Sequence, residues 1–127
     1  MGHIARQCSD SPLHDKSQAF AVAIIKMVQQ NNDWRVNSLF QQILRSGTSI
    51  HANVRESEYA QTPADFITKL TISLKEANET MGWLEMLHDS ECIPTDTFNS
   101  LSTHCREVIA ILVSSLKTIK VNQQKIL

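Results

Sequence analysis

Residues 39–59, LFQQILRSGTSIHANVRESEY, decide the fold of this chain. With an advance of about 100° per residue, Leu39, Ile43 and Val54 fall on one side of a helix, as in a helix that contributes to a bundle core. Arg45 and several small or polar residues fall on the far side. The stretch therefore predicts a long helix with one face for the core and a second face with another use.

Three further amphipathic segments flank this helix. The dipeptides Ser11–Pro12 (with Asp10 as an alternative cap) and Thr62–Pro63 are typical helix starts, and Thr95 or Asp96 follows the helix breaker Pro94. The predicted helices run from about Pro12 to Gln30, from Trp34 or Val36 to Tyr59, from Pro63 to Asp89 and from Thr95 to about Lys120. Short connections make neighbouring helices antiparallel. The sequence therefore predicts an all-α fold, an antiparallel up-down-up-down four-helix bundle.

Length and composition indicate one domain that needs no cofactor for stability. A chain of 127 residues with 3 Gly and 3 Pro is long enough to bury a core and has few helix breakers. We expect residues 1–10 to be a flexible lead-in, residues 11–121 to be the bundle and residues 122–127 to be a C-terminal tail.

The cysteines and the apolar runs indicate where the protein works. The 3 cysteines lack CxxC spacing, which is typical of a reducing compartment. The N-terminus has no apolar signal segment, and the longest apolar runs are too short to span a bilayer. We therefore expect a soluble cytoplasmic protein with no membrane part.

Two of the predicted helices carry a second stripe outside the core stripe. Its members are Arg45, Ser49, Asn53 and Glu56 on the second helix and Ile72, Glu76, Glu79, Trp83 and Met86 on the third. All of them except Glu56 and Met86 are the candidate interface residues. One interpretation is an interface at which Arg45 forms a charge-assisted bond to a carboxylate across a helix or subunit boundary. The alternative is a solvated polar face that happens to include a tryptophan.

Side chains with catalytic or metal-binding chemistry are scattered. Glu85 and His88 form Glu-x-x-His, half of a di-iron signature, and the sequence has no second copy. Zinc-type ligands occur around the third turn and in the last helix, in a spacing that matches no structural zinc pattern: His88, Glu91, Cys92, His104 and Cys105. His51 borders the core stripe and is expected to be a half-buried, hydrogen-bonded histidine. We predict no enzyme activity, no metal and no cofactor.

The last helix is basic. From residue 106 to the end, four bases and one acid give a net charge of +3, whereas the whole chain has −1. The candidate nucleic-acid contacts are Arg106, Lys117, Lys120 and Lys125. This is a weaker basic face than most nucleic-acid-binding proteins have.

Two segments resemble a known protein family. Residues 45–58, RSGTSIHANVRESE, resemble the R-x-x-x-S-I-x-x-N-I-x-E-G segment of small four-helix-bundle proteins encoded in intervening sequences of bacterial 23S ribosomal RNA genes. Residues 64–87, ADFITKLTISLKEANETMGWLEML, look like the following helix of that family, and Ser57 stands where many members have glycine. The resemblance implies a closed homo-oligomeric ring, usually a pentamer, with no established enzymatic activity. It also implies a looser kinship to accessory proteins of diversity-generating retroelements, which work with reverse transcriptase and RNA.

Two functional hypotheses follow. The first is a non-catalytic, self-assembling scaffold or interaction protein that forms a ring through the second and third helices, and the family resemblance implies a pentamer. The alternative is an accessory module that contacts RNA, DNA or a reverse transcriptase through the basic residues of the last helix.

Overall fold

The computed structural model describes residues 11–126, with side chains for residues 11–122, and the regular secondary structure in this range is helical. The elements are α1 (Pro12–Gln29), a 3₁₀-helix (Trp34–Val36), α2 (Asn37–Ser57), α3 (Pro63–Asp89) and α4 (Thr95–Ile126). The predicted all-α bundle is thereby confirmed. None of the helices within the described range is long and apolar enough to cross a membrane. The predicted lead-in, residues 1–10, lies outside the described residues, and helix α4 continues through the predicted tail to Ile126.

Local capping fixes where α1 and α3 begin. The Ser11 hydroxyl oxygen accepts the backbone N–H of His14 at 3.2 Å. The Thr62 hydroxyl oxygen accepts the backbone N–H of Asp65 at 3.0 Å. Each cap satisfies an N–H that the first turn leaves unpaired, and the proline that follows has no N–H to satisfy. The two Ser/Thr–Pro dipeptides therefore set the helix starts, as their sequence predicts.

A 3₁₀ turn precedes α2, and the periodicity of the sequence does not indicate it. Asp33 caps the 3₁₀-helix by accepting the backbone N–H of Arg35 at 3.0 Å. The α-helical hydrogen bonds begin only at Asn37. Because an apolar pattern does not distinguish a 3₁₀ turn from the first turn of an α-helix, the sequence locates this start only to within one turn.

A left-handed residue ends α3. The N–H of Cys92 donates to the carbonyl of Leu87 at 2.8 Å, and the N–H of Glu91 donates to the carbonyl of His88 at 3.0 Å. This is the Schellman arrangement, in which the chain needs one residue in the left-handed region, usually glycine. Here Glu91 takes that place with a φ of 60°.

All four helices contribute to one core. The predicted α2 stripe is buried through Phe40, Ile43 and Val54, and Leu39 is only partly buried. The buried apolar side chains of the helices are Leu13, Phe20, Ala21, Ile24, Met27, Phe40, Ile43, Ile50, Val54, Leu70, Ala77, Leu84, Leu87, Leu101, Cys105, Val108, Leu112 and Leu116. Their burial from water is the main source of stability of the bundle.

Helices α1 and α2 approach each other closely at Gly47. A methyl group added at Gly47 would lie 3.1 Å from both Cγ1 and Cγ2 of Ile24, which is fully buried. That distance is shorter than ordinary van der Waals contact. Glycine therefore permits the close packing of these two helices.

Each helix packs against its neighbours in the chain, and α1 also packs against α4. Lys16 of α1 pairs with Glu107 of α4 at 3.2 Å, and the ring of Phe20 lies 5.3 Å from that of His104. Residue numbers thus rise along α1 as they fall along α4. At 1.5 Å per residue, α4 is about 48 Å long and α1 about 27 Å. The last part of α4 therefore extends past the beginning of α1.

Candidate functional site

A charged network joins α2 to α3 on the outer surface. Arg45 Nη1 donates to Glu76 Oε2 at 3.0 Å, and Arg45 Nη2 donates to Glu79 Oε2. Trp83 Nε1 donates to the same oxygen of Glu79 at 3.0 Å. The structure therefore brings together four of the seven candidate interface residues. We call these four residues the Arg45 network.

Hydrogen bonds within the Arg45 network favour the charged forms of Glu79 and Arg45. The hydrogen bond from Trp83, together with those from Arg45, lowers the pKa of Glu79. The hydrogen bond to Glu79 raises the pKa of Arg45 in turn. Each shift favours the ionised form, because a hydrogen bond to a charged group stabilises that charge. With one guanidinium and two carboxylates, the network has a formal net charge of −1 at neutral pH.

The other three predicted residues lie outside this network. The Asn53 side-chain amide donates to the carbonyl of Ser49 at 2.9 Å, within α2 itself. Ile72 is 37% exposed on α3, and Met86, further along that helix, is 51% exposed. Small polar residues on α2 and exposed apolar residues on α3 thus border the charges of the network.

A layer of buried hydroxyl groups lies between α2 and α3. Thr80 Oγ1 is 2.8 Å from Ser46 Oγ, and Ser73 Oγ donates to the carbonyl of Ile50 at 2.9 Å. Ser46, Ser73 and Thr80 are fully buried, and no buried side-chain polar atom in the described range lacks a partner. Satisfied polar groups of this kind fix the relative position of two helices, since a shift would leave them unpaired.

A second buried polar cluster joins α1 to the end of α2. His14 Nδ1 lies 2.9 Å from Glu58 Oε2, and both side chains are buried. Ser17 Oγ lies 2.9 Å from His51 Nδ1, and the rings of His14 and His51 meet edge to face at 5.0 Å. The sequence pattern anticipated a hydrogen-bonded His51 but gave no indication of His14 and Glu58.

The hydrogen bonds of Ser17 define the chemistry of this cluster. Its hydroxyl donates to the carbonyl of His14 at 3.1 Å. The contact with His51 then requires the proton to be on Nδ1 of His51, because one hydroxyl has one proton to donate. Burial lowers the pKa of His51, so the ring is neutral at pH 7. Ser17 is fully buried, and this Ser–His pair is therefore closed to a substrate.

The predicted zinc-type ligands make other contacts. His88 stacks on Phe98 with 4.3 Å between ring centroids, and His104 meets Phe20 edge to face. Cys105 Sγ donates to the carbonyl of Ala77 at 3.4 Å, and burial raises the pKa of its thiol to about 12. In residues 11–122, no three His, Cys, Asp or Glu side chains are placed to hold a metal ion.

The basic residues of α4 share one exposed face. Lys117 and Lys120 are 11 and 14 residues after Arg106, which places all three within about 60° of each other around the helix. All three are exposed, and none forms an ion pair within the part of the chain that has described side chains. The side chain of Lys125, the fourth predicted contact, lies outside that part.

Sequence and structure comparisons identify similar proteins. A family model described as 23S rRNA-intervening sequence protein matches residues 9–114. The chain is also similar to a crystal structure of a protein with unknown function from the S23 ribosomal protein family of Bacteroides thetaiotaomicron VPI-5482, with a TM-score of 0.75 and 44% identity. That similarity covers 83% of this chain and 98% of the other. No curated protein matches the sequence. The family match includes α2 and α3 in full.

Proposed function

We propose that this chain, which belongs to the 23S rRNA-intervening sequence protein family, is a non-catalytic scaffold that assembles with copies of itself. The proposed contact is the outer surface of α2 and α3, which contains Arg45, Ser49, Asn53, Ile72, Glu76, Glu79 and Trp83. The family resemblance of the sequence favours a closed ring, and a pentamer is the form we propose.

The observation that supports this proposal is that Arg45 already has two carboxylate partners within one subunit. An interface that covers an unpaired charge loses several kcal/mol, and bonding of that charge within one subunit offsets part of this desolvation cost. Arg45 is bonded to Glu76 and Glu79 in the single chain. Another copy can therefore cover the Arg45 guanidinium without supplying a new acidic partner for it.

The two sides of this surface differ in shape. The α2 side has small residues, Ser49 and Ala52, and the α3 side has the larger apolar residues Ile72, Trp83 and Met86. If the α3 side of one copy packs on the α2 side of the next, the contact is head to tail. Head-to-tail contacts generate rings when the rotation between copies closes.

Mass measurement tests this proposal. Light scattering after size-exclusion chromatography at micromolar concentration should give a particle several times the 14.3 kDa chain mass, and five times for a pentamer. A variant with Ile72→Glu and Met86→Glu places charges on exposed positions and should reduce the particle to a monomer. Val22→Glu, on the exposed face of α1, should leave the mass unchanged. A wild-type monomer would exclude the proposed interface.

We keep nucleic-acid binding as a second candidate, because one observation favours it. One exposed face of α4 contains Arg106, Lys117 and Lys120. The two lysines lie on the part of α4 that extends past the first residue of α1. In a ring, this face would recur in every subunit, so that several weak phosphate contacts act together. RNA or DNA, with or without a reverse transcriptase, would be the partner.

A gel-shift titration with RNA at several salt concentrations tests the second candidate. Wild-type protein should retard the RNA at low salt and release it as salt increases, because each phosphate contact displaces bound cations. Charge reversal at Lys117 and Lys120 should weaken binding more than reversal at Lys26 of α1. Absence of retardation at low salt by the assembled protein would exclude this candidate.

A further inference from the structure

The 3₁₀-helix between α1 and α2 presents an exposed tryptophan on a fixed turn. Trp34 is 84% exposed, the most exposed of the large apolar residues described. Arg35 Nε and Nη2 donate to the two carboxylate oxygens of Asp33, each at 3.0 Å. The backbone N–H of Val36 also donates to the Asp33 carbonyl at 3.3 Å. These bonds stabilise the turn on which the exposed indole lies.

A cavity of about 400 Å³ opens at the same end of the bundle. Its apolar wall comes from Met27, Phe40, Cys92, Ile93 and Pro94. Polar residues line the other half of the cavity: Gln30, Asn31, Asn32, Asp33 and Thr97. A concave site with an apolar wall and hydrogen-bonding groups suits an indole ring, which has an apolar body and one polar N–H. We call this pocket the end cavity.

We propose that Trp34 of one copy inserts into the end cavity of a second copy, and that the two copies exchange their tryptophans around a two-fold axis. Asp33 lines the cavity and directly precedes Trp34, so the inserted group and the receiving pocket are adjacent on one surface. A surface that contains both parts allows a reciprocal contact, because under two-fold symmetry each part of one copy can meet the other part of its partner.

The Trp34 indole and the end cavity are chemically complementary. Trp34 is a rigid aromatic anchor of the kind that dominates binding energy at interfaces. Its indole N–H has no acceptor within the described residues, and the amide oxygens of Asn31 and Asn32 in the cavity wall can accept it. Asp33 and Arg35 are paired with each other, so covering this turn leaves neither charge alone.

This contact is independent of the surface on α2 and α3. Two exchanged tryptophans with their pockets make a small interface, and interfaces of that size are weak between single copies. If the protein is already a ring, several such contacts would form at once between two rings, and the affinity would increase. We call the particle that is present at low concentration the basic particle, whatever its size. Its mass should therefore double at high concentration.

Sedimentation velocity over a wide concentration range tests this inference on the full chain. The wild-type protein should show its basic particle at low concentration and a particle of twice that mass at high concentration. Trp34→Ala should abolish the doubling and keep the basic particle, and Trp34→Phe should retain part of it. Tyr59→Ala, which removes another aromatic residue that is 65% exposed, should double like the wild type. Doubling that persists in Trp34→Ala, or no doubling of the wild type, would overturn the inference.

Fluorescence quenching by acrylamide gives a second readout that does not depend on mass. In the wild type, the quenchable fraction should fall as concentration increases, because Trp34 becomes covered. In Trp34→Phe, the remaining Trp83 signal should not change over the doubling range. A concentration-independent signal in the wild type would count against insertion. Because the basic particle is measured separately, failure of the α2–α3 interface would appear as a monomeric basic particle, and failure of this inference as a missing doubling.

Discussion

Replacement of each of two helical glycines by alanine should change stability in opposite directions. Alanine in a helix interior is favoured over glycine by about 1 kcal/mol where space is available. At Gly82, an added methyl group meets nothing within 4 Å. Gly82→Ala should therefore stabilise the protein by about 0.5–1 kcal/mol.

At Gly47, the same methyl group would lie 3.1 Å from Cγ1 and Cγ2 of Ile24. Ile24 is fully buried, and overpacking of a close-packed core costs about 1–3 kcal/mol. Subtracting the helix-propensity gain leaves a net loss of about 0–2 kcal/mol. The two alanine variants should thus differ by about 1–3 kcal/mol, or very roughly 4–12 °C in Tm.

Urea unfolding followed by far-UV circular dichroism, at one protomer concentration for all variants, measures this difference. A double-mutant cycle identifies the cause. In an Ile24→Ala background the two nearest atoms, Cγ1 and Cγ2, are absent and only Cβ remains, at 3.3 Å, so Gly47→Ala should become less destabilising. The reasoning is refuted if Gly47→Ala is as stable as Gly82→Ala, or if the Ile24→Ala background leaves the effect of Gly47→Ala unchanged.

Three further predictions follow from single residues. Glu91→Gly should stabilise the protein by about 1 kcal/mol in urea unfolding, because glycine adopts the φ of 60° without a steric cost; a lower midpoint would contradict this. Iodoacetamide should label native Cys92 roughly tenfold faster than Cys105, whose thiol is buried and has its pKa raised to about 12; equal labelling by peptide mass spectrometry would contradict it. Burial lowers the pKa of His51. The stability that neutral His51 contributes is therefore fully present above its pKa in the unfolded chain, about 6.5, and is lost as pH falls through its pKa in the folded protein. The free energy of unfolding should therefore fall less between pH 7 and pH 5 in His51→Asn than in the wild type.

Local signals explain how much of the fold is predictable. Thr62 and Pro63 define the start of α3 because a cap and a proline act within one turn. The α2 stripe is likewise readable, since residues such as Ile43 and Ile50 repeat with the helical period and are buried. The family resemblance in the same segments is confirmed by the family match and the structural comparison.

The centre of the α3 core face is less predictable. The apolar pattern favours Leu74 and Met81, which are only partly buried, whereas Ser73 and Thr80 are fully buried. Hydroxyl groups enter the core because they bond to α2 across the helix pair. A periodicity argument counts Ser and Thr as polar and therefore places them on the wrong side.

The contacts within the candidate sites were hard to predict, because they join residues that are far apart in the sequence. Arg45 and Glu79 are 34 residues apart, and only their positions on two predicted neighbouring helices indicated a bond. His14 and Glu58 are 44 residues apart and belong to no recognisable motif. Glu58 counts as one of several acids in the sequence, and only the folded structure reveals it as a buried partner of histidine.

The hydroxyl layer between α2 and α3 has a consequence for the order of folding. It joins residues 23 and 34 positions apart, whereas the Lys16–Glu107 contact between α1 and α4 joins residues 91 apart. Closing the longer loop costs about 1 kcal/mol more in chain entropy. We therefore expect the α2–α3 hairpin to form early, with the last helix closing onto the first late, and amide hydrogen exchange in the native protein to be fastest along the α1–α4 seam.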